Sequence, residues 1–193
     1  MIVIEALRVV KRMILISLVS WSILFQSAYA INPNEIRWDY HIGQDPHQPD
    51  IEYSLVSAGF FRAELSADFG TILSTWLKNH ADARLIPVIT RGPMNDRAPN
   101  SKLIFVWIVD HDDNLNVYLV RHGCVAAAQM FSFSDDEFRS LREQFRLPKD
   151  KLQVSRIEYY RVKKRLLAAE KLAKAERLGI WANPESEADH TRD

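Results

Sequence analysis

The sequence predicts an α+β fold, and three stretches carry that prediction. Phe69, Ile72, Leu73, Trp76 and Leu77 recur at spacings of three and four. Tyr159, Val162, Leu166, Ala169 and Ala173 do so again near the C-terminus. Between them, Lys102–Val109 reads almost without interruption as Leu-Ile-Phe-Val-Trp-Ile-Val. The first two patterns place apolar side chains on one face of a helix, and the third is the mark of a strand covered on both faces.

The chain opens with Arg8, Lys11 and Arg12, followed by thirteen residues from Met13 to Phe25 that are apolar apart from three serines. Gln26–Ala30 then supplies small residues ending in Ala28-Tyr29-Ala30, so residues 1–30 read as a secretory signal peptide cleaved after Ala30. At 1.5 Å per residue, thirteen residues fall short of a bilayer core of about 30 Å, so this run is not expected to span a membrane. The expectation is an exported protein, periplasmic or secreted.

The whole chain carries 25 basic and 25 acidic side chains; without the signal segment, which holds three bases and one acid, the net charge is −2. That balance argues against a strongly basic polyanion binder. Cys124 is the single cysteine, so no intrachain disulfide forms even in an oxidising compartment. Core packing must supply the stability.

Residues 31–52 are rich in Asn, Pro, His, Asp and Gln and read as an irregular lead-in. Tyr53–Phe61 is a short strand candidate. A helix is predicted near 66–80, with Ser66 or Asp68 as its cap. Leu85–Ile89 is a strand placed at a sheet edge by Pro87, which has no N–H for a ladder. Arg91–Ser101 is a loop. After the strong strand, Asp110-His111-Asp112-Asp113-Asn114 makes a polar turn, and Leu115–Val120 is predicted to return as the second strand of a hairpin. Ser134 and Glu137 have capping-box spacing. A long helix near 152–178 follows, with Gly179 predicted in the left-handed C′ position and Pro184 barring resumption. Residues 185–193 are expected to be a disordered tail.

These residues resemble a known family. The segment ending Leu119-Val120-Arg121-His122-Gly123, followed by a helix closing through Arg177-Leu178-Gly179-Ile180-Trp181, resembles the second half of the staphylococcal-nuclease-like (thermonuclease) domain. The resemblance covers about residues 55–183 within a domain at 53–184, with an insertion near 130–154. It implies an OB-type Greek-key β-barrel packed with helices, although the segment before Tyr53 is short for its first strands. In active members it also implies calcium-assisted hydrolysis of DNA and RNA.

Such hydrolysis needs carboxylates for the hard cation, a carboxylate to orient water, and cations for the phosphoryl oxygens. The family keeps these in an Asp-Gly-Asp hairpin, an Arg-x-x-x-(Ile/Val)-Asp-(Thr/Ala)-Pro-Glu loop and a later arginine. No Asp-Gly-Asp occurs here. The loop corresponds to Phe60-Phe61-Arg62-Ala63-Glu64, where an apolar residue takes the place of the metal-binding aspartate. The later arginine position holds Asn100, Ser101 and Lys102, with Arg97 nearby. Arg62, Glu64, Arg97 and Lys102 are therefore the candidate catalytic residues, with calcium as the cofactor if the protein is active.

Other clusters have plainer readings. His41, Asp45, His47, Asp50 and Glu52 offer imidazole and carboxylate, but their spacing fits no named metal site. Asp110–Asp113 lack the glycine and distal Glu of an EF-hand and read as a turn. Cys124 reads as a small buried apolar residue. Arg161, Lys164, Lys171 and Lys174 lie opposite the apolar stripe of the last helix. Glu158, Glu170 and Glu176 interleave them in sequence, as on a solvated face. The expectation is an exported nuclease-like-fold binding module for nucleic acid or another anionic polymer, without calcium-dependent catalysis. The alternative is a divergent phosphodiesterase.

Overall fold

The computed structural model describes residues 31–55, 64–93, 99–127 and 153–182. Outside these lie the expected signal segment, Arg62, Arg97, the Ser134/Glu137 capping box, nearly all of the expected insertion and the tail. Every element below belongs to one of the chain's two compact units, Asn32–Asp193.

The fold is α+β. Six strands form a mixed sheet: β1 (Arg37–Asp39), β2 (Ile42–Gln44), β3 (Ile51–Ser54), β4 (Arg84–Arg91), β5 (Lys102–Asp110) and β6 (Asp113–Asn114). The order is β1-β2-β3-β5-β4, with β6 pairing to β5. β3 and β5 run parallel and the other pairs antiparallel. Between β3 and β4 lies α1 (Phe69–Asn79); α2 (Leu115–Arg121) and α3 (Arg156–Ala175) follow the sheet.

β5 is central because it is apolar on both faces: Leu103, Phe105, Val106, Trp107 and Ile108 are all buried. β4 lies at the edge that Pro87 requires, and its register shifts between Pro87 and Ile89. That edge is partly covered, since the Gln153 N–H donates to the Val88 carbonyl at 3.0 Å.

The lead-in reading is corrected: β1 and β2 lie inside residues 31–52. Strands of three residues are too short to show periodicity, and they exist because β2 pairs with β3. Opposite Trp38 stands Gly43, where any Cβ would collide with Ile36 and the indole.

The predicted strand at Leu115–Val120 is also corrected. The hairpin turns at His111 (φ +52), but its return is only the two residues of β6. Asn114 then caps α2, its Oδ1 accepting from Val117 N at 3.1 Å. Leu115, Asn116, Leu119 and Val120 are buried at helical spacing. The β-branched content imitated a strand, and the cap and the packing decided for a helix.

α1 buries Phe69, Leu73, Trp76 and Leu77 as the pattern requires. Its predicted side-chain cap is absent. Asp68 occupies the N-cap without a capping bond, and the Ser66 carbonyl accepts from Phe69 N at 3.1 Å. α3 buries the five predicted residues and starts at a capping box of Ser155 and Glu158. Its stop differs from expectation. Arg177 (φ +53), not Gly179, takes the left-handed C′ position. Leu178 N donates to Ala173 O at 3.0 Å and Arg177 N to Lys174 O at 3.1 Å, a Schellman arrangement. Gly179 instead opens a 3₁₀ turn, Gly179–Trp181, that packs back on the end of α2.

Candidate functional site

β5 begins at Lys102, in register with Ile51 of β3, and its N–H donates to the Asp50 carbonyl at 2.8 Å. β4 ends beside it, with Arg91 opposite Leu103. β2 ends there too, Gln44 facing Glu52, and Arg37 of β1 faces Gln44. One end of the sheet therefore gathers Arg37, Arg91 and Lys102 with Asp50 and Glu52. The β4–β5 connection, which contains Arg97, leaves and re-enters at this end.

Lys102 is solvent-exposed and has no ion pair among the described residues. An exposed ammonium at a sheet end suits a phosphate oxygen as a point charge. Glu64 is also exposed; it precedes α1, two residues before Ser66, whose N–H donates to Cys124 O at 2.9 Å. No ion pair joins Glu64 to Lys102. Of the four candidate residues, the fold places Lys102 at the end of the sheet where the β4–β5 connection leaves and re-enters; Glu64 stands ahead of α1, and Arg62 and Arg97 lie outside the described residues.

The His/Asp cluster of residues 41–52 separates. Asp45 is buried, and its carboxylate is occupied by its own turn: Oδ1 accepts from His47 N at 2.8 Å and Oδ2 from Gln48 Nε2 at 3.1 Å. His41 lies in the β1–β2 turn, where its carbonyl accepts from Leu55 N. Burial pushes the His41 imidazole down, and the Asp39 charge opposes this. Burial, with the Asp45 charge adding to it, pushes the Tyr53 phenol up to about 12. Among the described residues, no three His, Cys, Asp or Glu side chains are grouped to hold a metal ion.

The Asp110–Asp113 turn is held by structural contacts. His111 Nδ1 lies 2.6 Å from Asp110 Oδ1, His80 Nε2 lies 3.5 Å from Asp113 Oδ2, and Arg165 donates to the Asp112 carbonyl at 3.0 Å. Cys124 is fully buried, and burial pushes its thiol up to about 11 against a Ser66 hydrogen bond that lowers it. A protonated, inaccessible thiol is a packing residue.

Sequence reasoning missed Asn116. Its Nδ2 donates to the carbonyls of Leu55 (3.2 Å) and Val106 (3.3 Å), and its Oδ1 accepts from Ile108 N at 3.2 Å. One buried amide thus ties α2 to the end of β3 and the middle of β5. Only its place on the apolar face of a capped helix could have shown this, and that needs the helix to be recognised first.

The described groups at the Lys102 end can attract an anion, and none of them pairs a carboxylate with the Lys102 ammonium. No protein-family model matches the chain, and no curated protein matches its sequence. Among the described residues no helix is long and apolar enough to cross a membrane.

Proposed function

We propose that this is an exported protein of nuclease-like fold that acts as a binding module for nucleic acid or another anionic polymer, without calcium-dependent catalysis. The observation that carries the reading is the strand order β1-β2-β3-β5-β4 with β3 and β5 parallel and a helix between β3 and β4. An OB-type Greek-key barrel has this order, and such barrels hold oligonucleotides across strands 2 and 3 and with the loops joining strands 1–2 and 4–5. In this chain the second of those loops contains Arg97 and leads into the exposed Lys102.

The test is fluorescence anisotropy with a labelled single-stranded oligonucleotide. Binding is expected at low salt and weakens as salt rises; Lys102→Ala lowers the salt slope by about 0.7, the loss of one phosphate contact. No binding at low salt sinks the reading. The export component is tested by N-terminal sequencing of protein recovered outside the cytoplasm, which is expected to begin at Ile31.

The alternative, a divergent phosphodiesterase using Arg62, Glu64, Arg97 and Lys102, is favoured by one observation: Glu64 is exposed ahead of α1. Incubation with single-stranded DNA and calcium tests it. Cleavage that Glu64→Gln abolishes would establish the alternative over the binding module.

A further inference from the structure

The outward face of α3 has a composition that its sequence disguises. At about 100° per residue, the row opposite the buried stripe holds Ile157, Lys164 and Lys171, with Tyr160 and Leu167 on one flank and Arg161 on the other. All are exposed, and the apolar ones unusually so: Ile157 is 74% exposed, Leu167 49% and Tyr160 40%.

The three glutamates that interleave the cations in sequence are engaged away from Arg161, Lys164 and Lys171, and Glu170 also pairs with Lys174 at 3.8 Å. Glu158 closes the capping box, its Oε2 2.9 Å from Ser155 Oγ. Glu170 accepts from Ala127 N at 3.2 Å. Glu176 pairs with Arg121 at 2.6 Å. Among the described residues Arg161, Lys164 and Lys171 have no ion pair, so in a chain with equal numbers of acids and bases one helix face concentrates positive charge.

We infer that this face of α3 docks the protein on an anionic lipid surface. Charge complementarity requires an anionic partner, and the aliphatic groups select among anions. Ile157 and Leu167 offer nothing to a sugar-phosphate backbone. At a membrane they enter the boundary between headgroups and acyl chains while the neighbouring cations meet lipid phosphates, and Tyr160 suits the same depth. The row from Ile157 to Lys171 is about 20 Å long, enough to lie along several headgroups. This docking is independent of oligonucleotide binding at Lys102.

Vesicle flotation of the full chain tests it, with phosphatidylglycerol–phosphatidylcholine vesicles against phosphatidylcholine alone. The N-terminal segment is the same in every variant, so differences between variants report α3. Lys164→Gln with Lys171→Gln is expected to weaken binding to the anionic vesicles about 25-fold, about fivefold for each cation, and to leave binding to neutral vesicles unchanged. Lys164→Arg with Lys171→Arg keeps the charge and retains binding. Ile157→Ser with Leu167→Ser weakens it without altering its salt dependence. Circular dichroism establishes that each variant is folded. Anionic-vesicle binding that the charge-neutralised variant retains in full would overturn the inference. So would loss of duplex DNA binding in that variant while vesicle binding persists, which would assign the face to nucleic acid.

Discussion

Gly123, at the end of α2, and Gly179, after the end of α3, lie back to back. A Cβ on Gly123 would strike the Leu178 carbonyl, and one on Gly179 would strike the carbonyl of Gly123. Both have left-handed backbones, φ +66 and +55, and the Ile180 N–H donates to the Gly123 carbonyl at 2.9 Å. This contact fixes how two helices of the core meet, and it seats Ile180 and Trp181 against Ala126 and Ala173.

Gly123→Ala and Gly179→Ala are each expected to cost about 2–4 kcal/mol, combining left-handed strain with a backbone collision that no side-chain rotation relieves. Arg177→Gly is the contrasting case. It removes the side chain from a left-handed position with no such neighbour, and is expected to be neutral or stabilising by up to about 1 kcal/mol. Urea unfolding of the three variants checks both signs; equal effects would refute the close-approach argument.

Asn116→Ala leaves the Ile108 N–H and the Leu55 and Val106 carbonyls without their partner in the core. A loss of about 2–4 kcal/mol is expected. Asn116→Asp is expected to be at least as damaging, because it sets an acceptor-only carboxylate against two carbonyls. Thermal unfolding measures this, and a shift indistinguishable from wild type would contradict the network.

Two rings, the half-buried His41 imidazole and the buried Tyr53 phenol, set opposite pH limits on stability. The His41 pKa in the fold is depressed, so the unfolded state binds the proton more readily. The stabilisation is complete above the ordinary value of 6.5 and is lost as pH falls below it. The Tyr53 pKa is raised to about 12 from 10.0, so its stabilisation is complete below 10.0 and is lost as pH rises towards 12. Urea midpoints across pH are expected to lose their acid slope in part with His41→Gln and their alkaline slope in part with Tyr53→Phe. Since the Tyr53 hydroxyl is buried without a hydrogen-bond partner among the described residues, Tyr53→Phe is also expected to leave neutral-pH stability unchanged or raise it by up to about 1 kcal/mol.

Cys124 is expected to resist iodoacetamide at pH 8 in the folded protein and to react promptly in urea, because burial both shields the thiol and holds its pKa near 11. Mass spectrometry of the alkylated peptide reads the difference. Rapid labelling of the folded protein would show that α2 and the 3₁₀ turn do not seal the site.

Much of the fold was legible because some signals are local. The helix faces of α1 and α3, the doubly buried β5 and the edge position of β4 all follow from side chains within one element, where period and apolar content report burial directly. The α2 segment misled for the same reason. Its valines and leucines read as a strand, and the decision lay with the Asn114 cap and the buried bonds of Asn116. The candidate site was legible only in part: Lys102 is exposed at a sheet end beside Arg91 and Asp50, a gathering of strand ends that spacing along the chain does not encode.

By itself, the sequence determined which residues are apolar and at what period, and from this the α+β class, the core faces of two helices and the central strand. Tertiary structure alone decided the short pairing of β1 with β2, the approach of Gly123 to Gly179, and the anchoring of Glu170 on Ala127 and of Glu176 on Arg121. The physical reason is the same in each case. Those outcomes depend on backbone approach and on hydrogen-bond partners distant in sequence, and neither leaves a periodic trace along the chain.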